Sequence, residues 1–257
     1  MSVLAGQTAF ITGASGAIAT ASAIALARDG ARLALMARRE EGLARSEAAI
    51  RAIVPYATIL PIVGNCADEE AVRSALLRAH GWAGRLDVIF ATIGGGGFTP
   101  LLELDAETLR RTVEHNLLTS FFAVRHGAPL MKAGGSIICT SSSSAPLTFR
   151  LLSAYHIAKS AVEALVRAAA DELGAAEIRV NAVRPGLTRA EGTADLFAGQ
   201  GSAKAFLPEF PLGRFGEPED IAGAVRFLAG PESGWMTGEC LSIDGGNHLR
   251  RNPDLTL

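Results

Sequence analysis

The sequence predicts a doubly wound α/β fold, a three-layer sandwich in which helices cover both faces of a mostly parallel seven-stranded sheet. Three observations carry that prediction. Short apolar runs of four to six residues recur seven times along the 257-residue chain. Helical stretches separate most of them, as βαβ units of a parallel sheet require. The first run stops at a glycine-containing turn that opens directly into a helix.

That first unit runs from Thr8 to Thr12, through Gly13-Ala14-Ser15-Gly16-Ala17-Ile18-Ala19, and into an Ala-rich helix ending near Arg28. A turn of this kind lets backbone approach a pyrophosphate, while the helix N-terminus offers unpaired N–H groups and the positive end of its dipole. It also suits a plain tight βα turn, and the turn alone does not decide between them. The second strand, Arg32 to Ala37, leads through Arg38-Arg39-Glu40 into a helix to about Val54. A strand from Thr58 to Val63, a helix from Asp68 to about Ala83 and a strand from Asp87 to Thr92 follow, then the loop Ile93-Gly94-Gly95-Gly96-Gly97. A long helix is expected from about Ala106, through Asn116, to Lys132. The strand Ser136 to Thr140 then meets Ser141-Ser142-Ser143-Ser144 at its carboxyl end, the edge where ligands bind in such sheets. A helix carrying Tyr155 continues to Leu173, and the strand Ile178 to Val183 precedes Arg184-Pro185-Gly186. An irregular stretch from about 187 to 210 is long enough to be a lid. A helix from Pro218 to Leu228 and the strand Cys240 to Ile243 close a single domain spanning 1–257, with no linker or repeat.

Composition narrows the function. Hydrophobic residues make up 49% and charged residues 19%, and the 24 basic and 26 acidic side chains are interspersed. No basic face is available for nucleic acid or an anionic membrane, so a small-molecule partner is expected. Cys66, Cys139 and Cys240 are odd in number and widely spaced, which suits reduced thiols. The chain lacks a run long enough to span a bilayer, and it reads as a soluble, cytoplasmic protein.

Chemistry centres on Tyr155 and Lys159, four residues apart and therefore on one helical face. A free tyrosine titrates near ~10, so acid–base work at neutral pH calls for a positive charge beside the phenolate. Five motifs in register extend this pair: the glycine turn, Ser142 thirteen residues before the tyrosine, Asn116 in the preceding long helix, Pro185-Gly186 after Val180-Asn181-Ala182-Val183, and the C-terminal run Pro211-Leu212-Gly213-Arg214-Phe215-Gly216-Glu217-Pro218 with Asp244-Gly245-Gly246. Over residues 4 to 247 the chain resembles the short-chain dehydrogenase/reductase family, in its single-domain branch, with a C-terminal signature similar to that of 3-oxoacyl carrier-protein reductases.

The resemblance implies a Rossmann-type fold and hydride transfer between a nicotinamide and a carbonyl or secondary alcohol. Tyr155 would be the general acid/base, Lys159 would lower its pKa and hold the ribose, Ser142 would hydrogen-bond the substrate oxygen, and Asn116 would hold a water linking Lys159 to solvent. Cofactor contacts are implied at Gly13, Ser15, Gly16 and Ile18 in the turn, at Arg38 and Arg39, at Asn65, Cys66 and Gly94, and at Pro185, Gly186 and Thr188. Ala37 stands where NAD-users of the family carry aspartate and Arg38 follows it, so NADP is the expected cofactor and NAD the alternative. The chain departs from the family at Ala17, at Ala91 where an asparagine is usual, and at Asn65 where an aspartate is usual. Ala17 and Ala91 are the only support for the rival reading, a nucleotide-binding regulatory protein with weakened catalysis. The substrate is expected to be an apolar or amphipathic carbonyl or alcohol. Long helices with more than one apolar face imply a homotetramer, or at least a dimer.

Overall fold

Alternation of side chains along buried parallel strands sends successive residues into two different cores. The computed structural model describes residues 2–198 and 203–253. In it β1 (Thr8–Thr12), β2 (Arg32–Ala37), β3 (Ile59–Val63), β4 (Leu86–Ala91), β5 (Met131–Thr140), β6 (Arg179–Pro185) and β7 (Cys240–Ile243) form one sheet in the order β3-β2-β1-β4-β5-β6-β7. Every pairing is parallel. The strand order reverses between β1 and β4, and there the carboxyl ends part to leave a crevice.

On one face Ala9, Ile11, Leu33, Leu35 and Phe90 pack against α1 (Ala17–Arg28), α2 (Glu40–Ile53) and α8 (Pro218–Ala229). On the other, Phe10, Ala34, Met36, Ile89 and Ile137 pack against α3 (Glu69–Ala83), α5 (Thr119–Gly127) and α6 (Ser153–Leu173). Capping fits the sequence: Asp68 accepts from Ala71 N at 3.1 Å to start α3, and Glu217 with Asp220 forms a capping box at α8.

Two expectations need correction. The helix expected from 106 to 132 is interrupted. It comprises α4 (Ala106–Val113), a π-helical turn over Glu114–Leu118, and α5, which ends at Gly127. Pro129 has no N–H to continue an α-helix, so a 3-10 turn over Ala128–Leu130 delivers the chain into β5 five residues earlier than the expected start at Ser136. The stretch from 187 to 210 is helical rather than irregular where described, with 3-10 turns at Glu191–Thr193 and Ala203–Glu209 and a short α7 (Ala194–Ala198). Burial of Phe206 and Phe210 against Phe149 explains the order there. Residues 199–202 of that stretch lie outside the described residues.

Phe90 is fully buried in the middle strand of the sheet. Phe90→Ala is expected to cost about 3–5 kcal/mol, read as a lower urea midpoint at unchanged slope.

Candidate active site

At the crevice, Gly13 turns with φ +60°, and a Cβ there would sit 2.6 Å from Thr92 Oγ1. Only glycine takes that turn without strain. The turn leads into α1, whose N-terminus has no side-chain cap and no acidic residue in its first turn. A cavity of about 590 Å³ opens over it, lined by Gly13, Ser15, Gly16, Ile18, Arg38, Arg39, Asn65, Cys66 and Gly94 among others. Arg38 and Arg39 are exposed at its rim, and among the described residues neither guanidinium makes a hydrogen bond or ion pair. Asn65 Oδ1 accepts from Ala67 N at 3.2 Å. Cys66 is buried, and burial pushes its thiol up.

Ala91 contributes no polar group to the crevice, but the next residue does. Thr92 Oγ1 donates to Thr12 O at 2.6 Å, and Thr92 N donates to Thr12 Oγ1 at 3.1 Å. This reciprocal pair ties the ends of β1 and β4 together where they part.

The second half of the site lies at the end of β5. Ser142 accepts from Ser144 N at 3.1 Å and shares the cavity wall with Tyr155, near enough to pull the phenol's pKa down. Lys159 is 1% exposed, and its ammonium donates to Thr140 O at 2.8 Å and to Ile93 O at 3.5 Å. Burial pushes the Lys159 pKa down to about 8. The expectation that Lys159 depresses the Tyr155 pKa needs correction: the phenol is raised above its ordinary value of 10.0. Although Tyr155 keeps some exposure to the cavity, desolvation outweighs the Ser142 hydroxyl, which pulls the other way. The ammonium stands 5.7 Å from the ring centroid with its donors turned to backbone carbonyls.

Asn116 is fully buried in the π turn. Its Oδ1 accepts from Gly95 N at 3.1 Å, and its Nδ2 donates to Gly95 O and Thr112 O, both at 2.8 Å. The side chain is committed to backbone and fixes the 94–97 loop. A Cβ at Gly94 would collide with the Lys159 ammonium and the Asn116 amide, so the backbone there passes flush against both.

A second cavity, about 290 Å³, contains Ser142, Tyr155, Lys159, Pro185, Gly186 and Thr188 and meets the first at Thr92, Gly94 and Thr140. Of the catalytic and cofactor-contact residues expected from the sequence, all line these joined cavities except Asn116, which stands behind Gly95. Phe98, Phe149 and Phe206 form an aromatic wall that sequence reading did not assemble, with Phe149 5.8 Å from Phe98 and 5.5 Å from Phe206 between ring centroids. His156, next to the tyrosine, bonds Ser144 O through Nδ1 at 2.7 Å rather than entering the cavity.

A nicotinamide dinucleotide fits these residues. Among the described residues the buried Thr140 Oγ1 has no partner, and Thr140 lies on both cavity walls. The uncapped start of α1 suits a pyrophosphate, and the free guanidinium groups at the rim suit a further anion.

Comparison with known proteins agrees. Residues 13–248 match the family model described as Enoyl-(Acyl carrier protein) reductase. The chain is 34% identical to an L-rhamnose 1-dehydrogenase (NAD(P)(+)) of Sphingomonas sp. (strain SKA58), over 97% of this chain and 99% of the relative. It is 36% identical to an A-factor type gamma-butyrolactone 1'-reductase (1S-forming) of Streptomyces virginiae, over 95% and 96%. A short-chain type dehydrogenase/reductase from Mycobacterium ulcerans superposes with a TM-score of 0.93 at 32% identity, covering 98% of this chain and 93% of that one.

The buried ammonium makes a prediction about stability. The folded pKa of about 8 lies below the ordinary 10.5, so below about pH 8 Lys159 is charged in both states and folding bears the full desolvation cost. That cost fades as pH rises from about 8 to 10.5. Lys159→Met is therefore expected to raise stability by about 1–3 kcal/mol at neutral pH, less the loss of two hydrogen bonds, and the gain should shrink across that window. Denaturant melts at a series of pH values check this.

Proposed function

The chain belongs to the short-chain dehydrogenase/reductase family of oxidoreductases, and from that premise we propose that it is an NADP(H)-preferring enzyme that interconverts a carbonyl and a secondary alcohol. The observation that carries the reading is the gathering of Ser142, Tyr155 and Lys159 on the wall of one cavity that opens into the crevice between β1 and β4.

When bound, the nicotinamide supplies or accepts hydride. The protein's own residues do the rest. Tyr155 gives a proton to a carbonyl oxygen in reduction, or takes one from the alcohol in oxidation. A phenol held above its usual range is protonated at neutral pH and ready for the first of these. Ser142 donates to the same oxygen as charge grows on it. Lys159 would hold the ribose hydroxyls of a bound cofactor, and Asn116 keeps the Gly94–Gly95 backbone against the ammonium.

The preference for NADP(H) is supported by the end of β2. Ala37 provides no carboxylate to accept ribose hydroxyls or repel a phosphate, and Arg38 and Arg39 stand free beside Ser15. A relative's printed name, NAD(P)(+), allows either cofactor. The substrate we infer is uncharged, with an apolar body. Three phenylalanines line its cavity, and Lys159 is the one charged side chain on the wall among the described residues. Segment 187–210 serves as its lid. We also infer a cytoplasmic protein that assembles as a homotetramer, or at least a dimer. Exposed Leu101, Leu102 and Ile157 support self-association, and light scattering at micromolar protein tests it.

Nicotinamide absorbance against a panel of neutral and carboxylated ketones and alcohols, with each cofactor, tests the reading as a whole. Tyr155→Phe is expected to bind cofactor normally and lose turnover; near-normal rates would refute the mechanism. Charge-assisted contacts of about 1.5–3 kcal/mol at Arg38 imply a preference for NADP(H) on the order of ten- to a hundredfold. Arg38→Asp should weaken NADP(H) far more than NAD(H), and an unchanged ratio would show that the second strand has been misread.

A further inference from the structure

The spacing of Tyr155 and Lys159 continues for one more helical turn to Glu163. The three stand at i, i+4 and i+8 of α6, on one stripe. They meet three consecutive residues at the end of β5. Ser142 shares the cavity wall with Tyr155, Thr140 O accepts from Lys159 Nζ at 2.8 Å, and Ser141 Oγ donates to Glu163 Oε1 at 2.7 Å. Glu163 is 6% exposed, and its charge is met from β6, where Arg184 donates through Nε to Oε1 at 2.5 Å and through Nη2 to Oε2 at 2.7 Å. Arg184 Nη1 also donates to Cys240 O on β7 at 3.1 Å, and the residues that follow it are Pro185 and Gly186.

We propose that Glu163 and Arg184 form a positioning clamp for the Ser142–Tyr155 pair, holding α6 against the end of β5 one turn beyond Lys159, with Ser141 carrying the restraint to its neighbour Ser142. A buried ion pair is a costly way to join two elements, since well-packed apolar residues often stabilise as much. What a forked guanidinium adds is direction, because two parallel hydrogen bonds fix the carboxylate plane. One oxygen of that carboxylate is shared with Ser141, so the orientation of the fork reaches the strand end that bears the serine. The surrounding charged and titratable groups are Arg184 on β6, Cys240 on β7, Glu239 just before it and Arg167 on α6. Burial first, and Glu163 next, hold the Cys240 thiol up at about 11. Around Tyr155 the corresponding group is the Lys159 ammonium.

The clamp matters because of the proposed acid–base role of Tyr155, yet it can be tested without turnover, so the two ideas fail separately. The chain has two tyrosines, and Tyr56 is exposed. In a Tyr56→Phe background, tyrosinate absorbance against pH reports Tyr155 alone. The Ser142 hydroxyl pulls the Tyr155 pKa down, so loosening its placement lets that pKa rise further. Ser141→Ala leaves the ion pair in place and is expected to move the titration to higher pH with the thermal midpoint little changed. The double variant Glu163→Met, Arg184→Met removes both charges together; it is expected to fold and to show the same upward move. A Tyr155 titration that stays where it was in Ser141→Ala, or in the folded double variant, overturns the proposal. If the double variant does not fold, Ser141→Ala decides alone.

Discussion

Burying one ammonium is the constraint on which the Tyr155 side of the crevice depends. Lys159 sits at 1% exposure, where an unpartnered charge would be too costly to keep. Its donors are met by carbonyls at the ends of two neighbouring strands, Thr140 of β5 and Ile93 just beyond β4. Those carbonyls are available because the parallel sheet points every carboxyl end to the same edge. Gly94 lets the chain pass close enough for contact, and Asn116 holds that chain in place.

The same edge explains why binding and chemistry share one continuous space. The order of the strands reverses between β1 and β4, and the crevice so formed opens on the glycine turn, the end of β2 and the serine row after β5. Thr12 and Thr92 keep that crevice from spreading at its base. The aromatic wall of Phe98, Phe149 and Phe206 is drawn from two loops and the 3-10 turn Ala203–Glu209, and shields the side where a substrate body would lie.

Much of this was legible in the residues, for identifiable reasons. Six of the seven strands are bounded nearly as the apolar runs suggest, because burial on both faces leaves little room for polar residues. Tyr155 and Lys159 share a face by helical period alone. The early start of β5 was not legible, since Met131-Lys132-Ala133-Gly134-Gly135 shows no strand pattern; of the five only Met131 pairs, with Leu86, before the register jumps to Ser136 opposite Val88. The Thr12–Thr92 pair spans 80 positions, beyond any local signal. The direction of the Tyr155 shift escaped because spacing shows which charge is near a phenol but not how much water has been removed from it.

The π-helical turn over Glu114–Leu118 sets where its own residues point. Each residue of an α-helix advances about 100° around the axis, and a π turn accommodates extra chain without straightening the ladder. Shortening this turn by one residue would make α4 and α5 a single regular helix with both flanks still in phase, because the wide turn absorbs the extra residue; the residues of the turn itself, Asn116 among them, would be re-aimed. Asn116 would then leave Gly95 while the cores on either side kept their composition. Length at this point of the chain is therefore as restricted as residue type, and an insertion or deletion here is a different kind of change from one in a surface loop.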